Sequence, residues 1–326
     1  MRKLTRKPIN LAQPRLGAEV IYATDDFFAP KERLILPSDP VFIADKYDDN
    51  GKWMDGWESR RKRTEGYDHG IIRLGKMGII DHIDLDTSHF TGNHAPAASL
   101  DACLSGQAHP NDADWQNIVP VTTLTGDSHN IVAVSSREAW THLRLNIFPD
   151  GGVARLRVYG DIVMDWAAHD PAAVIDLAAL EYGGRPIFAN DEHFGILENI
   201  IAPGRGLNMG DGWETRRRRA PGHDWSILEL AHPGIIEEIL IDTAFFKGNY
   251  PDRCFLQAAN FPEEDDQTLV RKSQKWDILL PEQKLQMDQE HFFKTEIKDI
   301  GPVTHIRLNI IPDGGISRLR LFGKIT

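Results

Sequence analysis

Along Leu143-Arg144-Leu145-Asn146-Ile147, apolar and polar positions alternate with a period of two. That spacing predicts a strand with Arg144 and Asn146 on one face and three aliphatic side chains on the other. Arg307 and Asn309 repeat the pattern later in the chain. The β-rich runs HGIIRLG and IIDHIDLDT flank Lys-Met-Gly and predict a pair of strands about a turn. HLRLNIF and VARLRVYG flank Pro-Asp-Gly-Gly and predict a second pair, since Asp150-Gly151 and Asp313-Gly314 suit left-handed turn positions. Helix-period stretches are few, and PEQKLQMDQEHFFKTEI, from Pro281, is the best of them. At the junction, Asp170-Pro171 has the form of a weak helix cap. Short strands with turn signals over ~150 residues predict an all-β antiparallel sandwich or jelly roll.

The chain is also self-similar. IYATDDFF from Ile21 recurs as IFANDEHF from Ile187, and DGWESRRKR from Asp55 as DGWETRRRR from Asp211. IDLDTSHFTGN recurs with Asp86 matched to Asp242 and Asn93 to Asn249, and THLRLNIFPDGG from Thr141 recurs from Thr304. This is a tandem duplication, with residues 1–165 and 166–326 as the two copies. The first copy is longer before DGWE and the second before THIRLN, around Glu263 to His291, so those insertions are expected in surface loops.

Composition narrows the classes. The 326 residues carry 37 Lys+Arg against 48 Asp+Glu, a net charge of −11 that argues against nucleic-acid or anionic-membrane binding. No apolar run reaches the ~20 residues of a membrane span. The basic start lacks the apolar segment of a signal peptide. Two cysteines make no disulfide framework and point to a reducing cytoplasm. No GxSxG, P-loop or GxGxxG stands in a suitable context.

If the two runs after DGWE are neighbours, that segment and the DTSHFTGN loop meet at one end of each sandwich. They carry Asp55, Trp57, Glu58, Arg60, Arg61 and Arg63 on one side, and Asp86, Thr87, His89, Asn93 and His94 on the other. A guanidinium fork suits a carboxylate ligand, and a histidine oriented by a neighbouring Asp can act as general acid or base. The plain structural alternative makes Trp57 core, pairs each arginine with an acidic neighbour and leaves the histidines as loop residues. In the second copy the candidates are Asp211, Glu214, Arg216, Arg217, Asp242, Asn249 and Arg307, while His89 and His94 are replaced by Phe245 and Tyr250. His142 and His305 occur in both copies and read as structural. Metal binding is weakly signalled, without HExxH or a cysteine pair.

DGWE with its arginine cluster, HDW or its variant YDH, the IDTSHFTGNHAP type of loop and THLRLNIFPDGGxARLRVYG resemble the allantoicase (allantoate amidinohydrolase) family over nearly the whole chain, in both copies. The resemblance implies a tandem pair of galactose-binding-like jelly-roll β-sandwiches. It also implies hydrolysis of allantoate to ureidoglycolate and urea in purine breakdown, and a homo-oligomer. Phe245 departs from the DTxHF pattern. On this expectation an arginine among Arg60, Arg61 and Arg63 clamps the carboxylate. Glu58, Asp86, His89 or His94 moves protons, Thr87 and Asn93 orient ureido groups, and Arg144 and Asn146 are further candidates for substrate contact. No cofactor is required, and a divalent metal stays open. The alternatives are a non-enzymatic binding module for a small anion or carbohydrate, and a related ureidoglycolate-cleaving enzyme.

Overall fold

The structure is a computed structural model that describes residues 7–261 and 266–326. The basic start and the first residues of the second-copy insertion lie outside them. Contacts divide the chain into Pro8–Val163 and a second unit containing Met164–Thr326.

In the first unit the strands are β1 (Ile9–Asn10), β2 (Glu19–Ala23), β3 (Tyr47–Asp48), β4 (Gly51–Lys52), β5 (Trp57–Glu58), β6 (Asp68–Asp86), β7 (Ala97–Cys103), β8 (Gln116–Thr123), β9 (His129–Ala133), β10 (Ala139–Phe148), β11 (Gly152–Val153) and β12 (Arg155–Ile162). Eight of them join through β6: β2, β10, β7 and β8 extend from its first part, and β12, β1 and β9 from its second. The two halves face each other across one core. Ile72, Leu143, Leu145 and Leu100 meet Ile83, Leu85, Leu156 and Val158 there. The alternation in β10 therefore buries its aliphatic side as the period predicts.

The second unit repeats the plan. Its strands are β13 (Ile175–Asp176), β14 (Arg185–Ala189), β15 (Trp213–Glu214), β16 (Asp224–Asp242), β17 (Arg253–Ala259), β18 (Asp277–Lys284), β19 (Glu290–Phe293), β20 (Val303–Ile311), β21 (Gly315–Ile316) and β22 (Arg318–Ile325), with one α-helix among the described residues, α1 (Asp266–Lys272). The chain is thus a tandem pair of all-β jelly-roll sandwiches.

Four local expectations are corrected. HGIIRLG and IIDHIDLDT are not two strands about a turn; they form the single 19-residue β6. Straight, it would span about 60 Å. Instead it doubles over. Asp68 N donates to Pro149 O at one end, and Ala154 N donates to Asp86 O at the other, so both ends reach the same short turn. The bend admits the N-terminal segment, because a Cβ on Gly75 would lie 2.5 Å from Leu16 O and one on Gly78 would lie 2.6 Å from Leu11 Cδ1. β10 and β12 in turn are not a hairpin: each pairs with a different part of β6, and the turn between them crosses the sandwich after a cis Phe148–Pro149 bond. Gly151 and Gly314, at φ 123° and 132°, supply the left-handed step there. Finally, the helix expected from Pro281 is strand, since β18 ladders with β17 and β19 with β16, and those pairings override local propensity. The helix lies earlier, at α1. No helix starts at Pro171, where Asp170 accepts only from Ala172 N in a turn.

Candidate functional site

The bent β6 brings the DGWE and DTSHFTGN loops together. β5 pairs with β11, and Gly152 N donates to Asn93 O at 2.8 Å. Trp57 is fully buried under this junction, and its Nε1 donates to Asp25 O. Glu58 is buried as well and accepts from Asn93 Nδ2 at 2.8 Å. Burial pushes the Glu58 carboxyl above its ordinary value, against the lowering effect of the Asn93 bond. In the second unit Trp213 Nε1 donates to Asp191 O, and Asn249 Nδ2 donates to Glu214 Oε1. No side chain larger than hydrogen fits the partner strand: a Cβ on Gly152 or Gly315 would lie 2.1 or 2.0 Å from the Phe90 or Phe246 ring.

The arginine cluster divides by partner. Arg60 is tied to Asp25 through Nε (2.7 Å) and Nη2 (2.6 Å), and Arg216 to Asp191 through Nε. Burial would raise the Asp25 carboxyl, but the Arg60 and Phe27 hydrogen bonds outweigh it and hold it low. Lys62 and Arg218 reach Asp68 and Asp224, while their backbone N–H groups donate to Asp150 and Asp313. Asp55 and Asp211 are held by the buried Arg155 and Arg318. Arg61, Arg63, Arg217 and Arg219 are exposed and have no partner among the described residues. Of these four, Arg217 lines a cavity of about 620 Å³ in the second unit, together with Phe194, Glu214, Thr215, Asn249 and Tyr250.

The other candidates lie elsewhere or serve the frame. Asp86 and Asp242 are buried and accept from the N–H groups of Ser88 and Ala244. Thr87 is fully buried, its hydroxyl on Thr125 O and Ser128 O. His89 sits at φ 70° with its N–H on Asp127; its Nε2 lies 3.2 Å from Pro40 O and its ring against Phe42, in the longer first-copy loop. Phe245 holds the same backbone at φ 71° against Asp288. The His94 ring packs under Gly126, with Nδ1 buried and unpartnered.

Arg144 and Asn146 both bond Asp101, on the outer face of the sheet, away from the Glu58–Asn93 pair in the hydrogen-bond network. Burial would raise Asp101, yet Asn117, Asn146 and Arg144 together lower it. Asp101 is replaced by Gln257, and Arg307 there bonds Asn309 and Ser273 and stacks on Trp225, 3.7 Å from the ring centroid. Burial pushes Arg307 down to about 10.

Sequence reasoning passed over Asp25, Asp191, Arg155 and Arg318. All four lie inside the repeated segments, and their recurrence beside the arginine cluster was the available signal. Among the described residues no group of three or more His, Cys, Asp or Glu side chains could hold a metal, and no helix is long and apolar enough to cross a membrane.

The allantoicase repeat family matches residues 9–163 and 175–326. A "Probable allantoicase 1" of Burkholderia mallei is 57% identical over 324 residues, covering 99% of this chain and 96% of that one. A "Probable allantoicase" of Ralstonia nicotianae is 56% identical over 322 residues, covering 98% and 96%. The crystal structure of allantoicase from Saccharomyces cerevisiae superposes with a TM-score of 0.82 at 34% identity, covering 98% of this chain and 94% of that one. With its doubled fold, its repeated loop-end motifs and these relatives, the chain belongs to the allantoicase family.

Proposed function

We propose that this protein is an allantoicase, which hydrolyses allantoate to ureidoglycolate and urea. The observation that carries the reading onto particular residues is a guanidinium without a partner among the described residues, Arg217, in one cavity with the buried Glu214–Asn249 pair. Allantoate is a small carboxylate whose central carbon bears two ureido arms. Arg217 clamps the carboxylate through two parallel N–H donors. Asn249 spends its Nδ2 on Glu214, which leaves Oδ1 to accept a ureido N–H.

The bond that breaks joins the central carbon to one ureido nitrogen. Its electron pair leaves with that nitrogen, which takes a proton from the Glu214 carboxyl and departs as urea. The lone pair of the remaining ureido nitrogen steadies the electron-poor carbon. Water then adds its oxygen to that carbon and returns a proton to the carboxylate, so the acid is regenerated. The balance uses one water and no cofactor. The two buried, unpaired cysteines fit a reducing cytoplasm. A homo-oligomer is proposed on family grounds, and sedimentation reads it directly. Urea release from pure allantoate, assayed with chelator and with added divalent metal, tests the activity. No urea under either condition overturns the reading.

A further inference from the structure

We propose that Asp313 is a positioning residue for Arg217. Its carboxylate fixes the backbone that carries the guanidinium, and a ligand in the cavity gains from Asp313 only through that arginine. The inference rests on the proposed reading of the Arg217 cavity and adds a residue that acts behind it.

The Arg217 side chain has nothing of its own to hold it. It is exposed and has no partner among the described residues, and residues 215–219 belong to no strand or helix. Where the guanidinium starts from is therefore set by the backbone, and the backbone is pinned on both sides. Thr215 N donates to Gly314 O at 3.1 Å, and Gly314 N donates back to Thr215 Oγ1 at 3.1 Å. Arg216 N donates to Asp191 Oδ1 at 3.1 Å, and Arg218 N donates to Asp313 Oδ2 at 2.8 Å. The side chains of Arg216 and Arg218 are spent on Asp191 and Asp224. With no ladder to satisfy them, the N–H groups on either side of Arg217 are taken by carboxylates, and charge-assisted bonds of this kind are roughly twice as strong as neutral ones.

The first repeat builds the same clamp. Arg60 N donates to Asp25 Oδ1 at 3.0 Å and Lys62 N donates to Asp150 Oδ2 at 2.8 Å, on either side of Arg61. Asp150 and Asp313 each precede the glycine that takes the left-handed step. Turn geometry alone does not account for a carboxylate that captures a backbone N–H 95 residues away in sequence.

Asp313 also lines the cavity with Arg217. A negative charge there repels an anionic ligand, so its direct effect on carboxylate binding is unfavourable. Its effect through Arg217 has the opposite sign, because a misplacement of ~1 Å can cost up to about 100-fold. The two effects predict opposite outcomes when the carboxylate is removed.

Equilibrium dialysis of the full chain against radiolabelled ureidoacetate, which has the carboxylate and one ureido arm, tests this. Asp313→Ala should weaken binding about tenfold, and by no more than Arg217→Ala does. Asp313→Asn keeps an acceptor for the Arg218 N–H and drops the charge, so it should bind as tightly as the unsubstituted chain or more tightly. In the Arg217→Ala background, Asp313→Ala should cost nothing more. If the alanine variant does not fold, Asp313→Glu, which displaces the acceptor by a methylene, takes its place in both backgrounds with the same expectation. Unchanged or tighter binding by the disrupting variant overturns the inference, as does equal weakening by Asp313→Asn, an equal loss in the Arg217→Ala background, or an unsubstituted chain that binds no ureidoacetate. Urea release from allantoate is measured on the same proteins. Turnover without this binding pattern removes the positioning role and leaves the activity standing; the pattern without turnover removes the activity and leaves the positioning role.

Discussion

Asn93 donates from Nδ2 to Glu58 Oε1 across 35 residues of sequence, and Asn249 makes the same bond to Glu214 in the second repeat. The carboxamide holds a buried carboxyl in place without neutralising it. Beside Glu214 in the same cavity lies Arg217, which bonds no described residue, and the proposed reading makes the two act together.

Replacing Arg217 by alanine is expected to weaken ligand binding with little effect on stability, because the side chain is exposed and bonds no described residue. Loss of a charge-assisted hydrogen bond of ~1.5–3 kcal/mol corresponds to a rise in KM of roughly 10–100-fold. Lysine should recover part of it, since it keeps the charge and loses the fork. Steady-state kinetics of urea release check this; an unchanged KM removes Arg217 from the clamp.

Glu214→Gln separates proton transfer from framework. Glutamine keeps an Oε1 that accepts from Asn249, so the melting temperature should hold. With no proton to give, kcat should fall by about 10²–10⁴-fold. A variant that melts normally and turns over normally would exclude Glu214 as the acid.

Glu58 makes a pH prediction about stability. Burial raises its carboxyl in the folded chain above the ordinary 4.5. The folded state then binds this proton more tightly than the unfolded state does. Its contribution is fully present below the ordinary glutamate value and is lost as pH rises through the raised one. Glu58→Gln removes that loss. Denaturant midpoints of the two proteins should therefore diverge in favour of the variant as pH climbs through the acid range into neutrality. Parallel curves would contradict the desolvated carboxyl.

His89→Phe should leave kcat and its pH profile unchanged. The second repeat already carries Phe245 in the same left-handed backbone conformation, with the same aspartate hold on its N–H. His89 also spends its ring on Pro40 O and Phe42. A lost acid or basic limb in the rate profile would make it a proton carrier after all.

Period-two alternation in LRLNIF and the internal repeat were legible because each depends on local spacing alone. So was the convergence of the DGWE and DTSHFTGN loops, although the hairpin invoked for it is one folded-over strand. The bend in β6 was not legible, because it depends on Leu11 and Leu16 packing against Gly75 and Gly78 from far away in sequence. The strands from Pro281 were missed for a similar reason: their helical pattern yields to ladders with distant partners.

By itself, then, the sequence determined the doubled all-β architecture, the family and a repeated stock of arginines, carboxylates and amides at one end of each copy. Only the tertiary structure sorted that stock. It tied Arg60 to Asp25, Arg216 to Asp191 and Asp55 to Arg155, and left Arg61 and Arg217 without a partner among the described residues. Side chains of one type become frame or ligand contact according to which opposite charges the folded chain brings within hydrogen-bond reach, and residues 25 to 100 positions apart decide that.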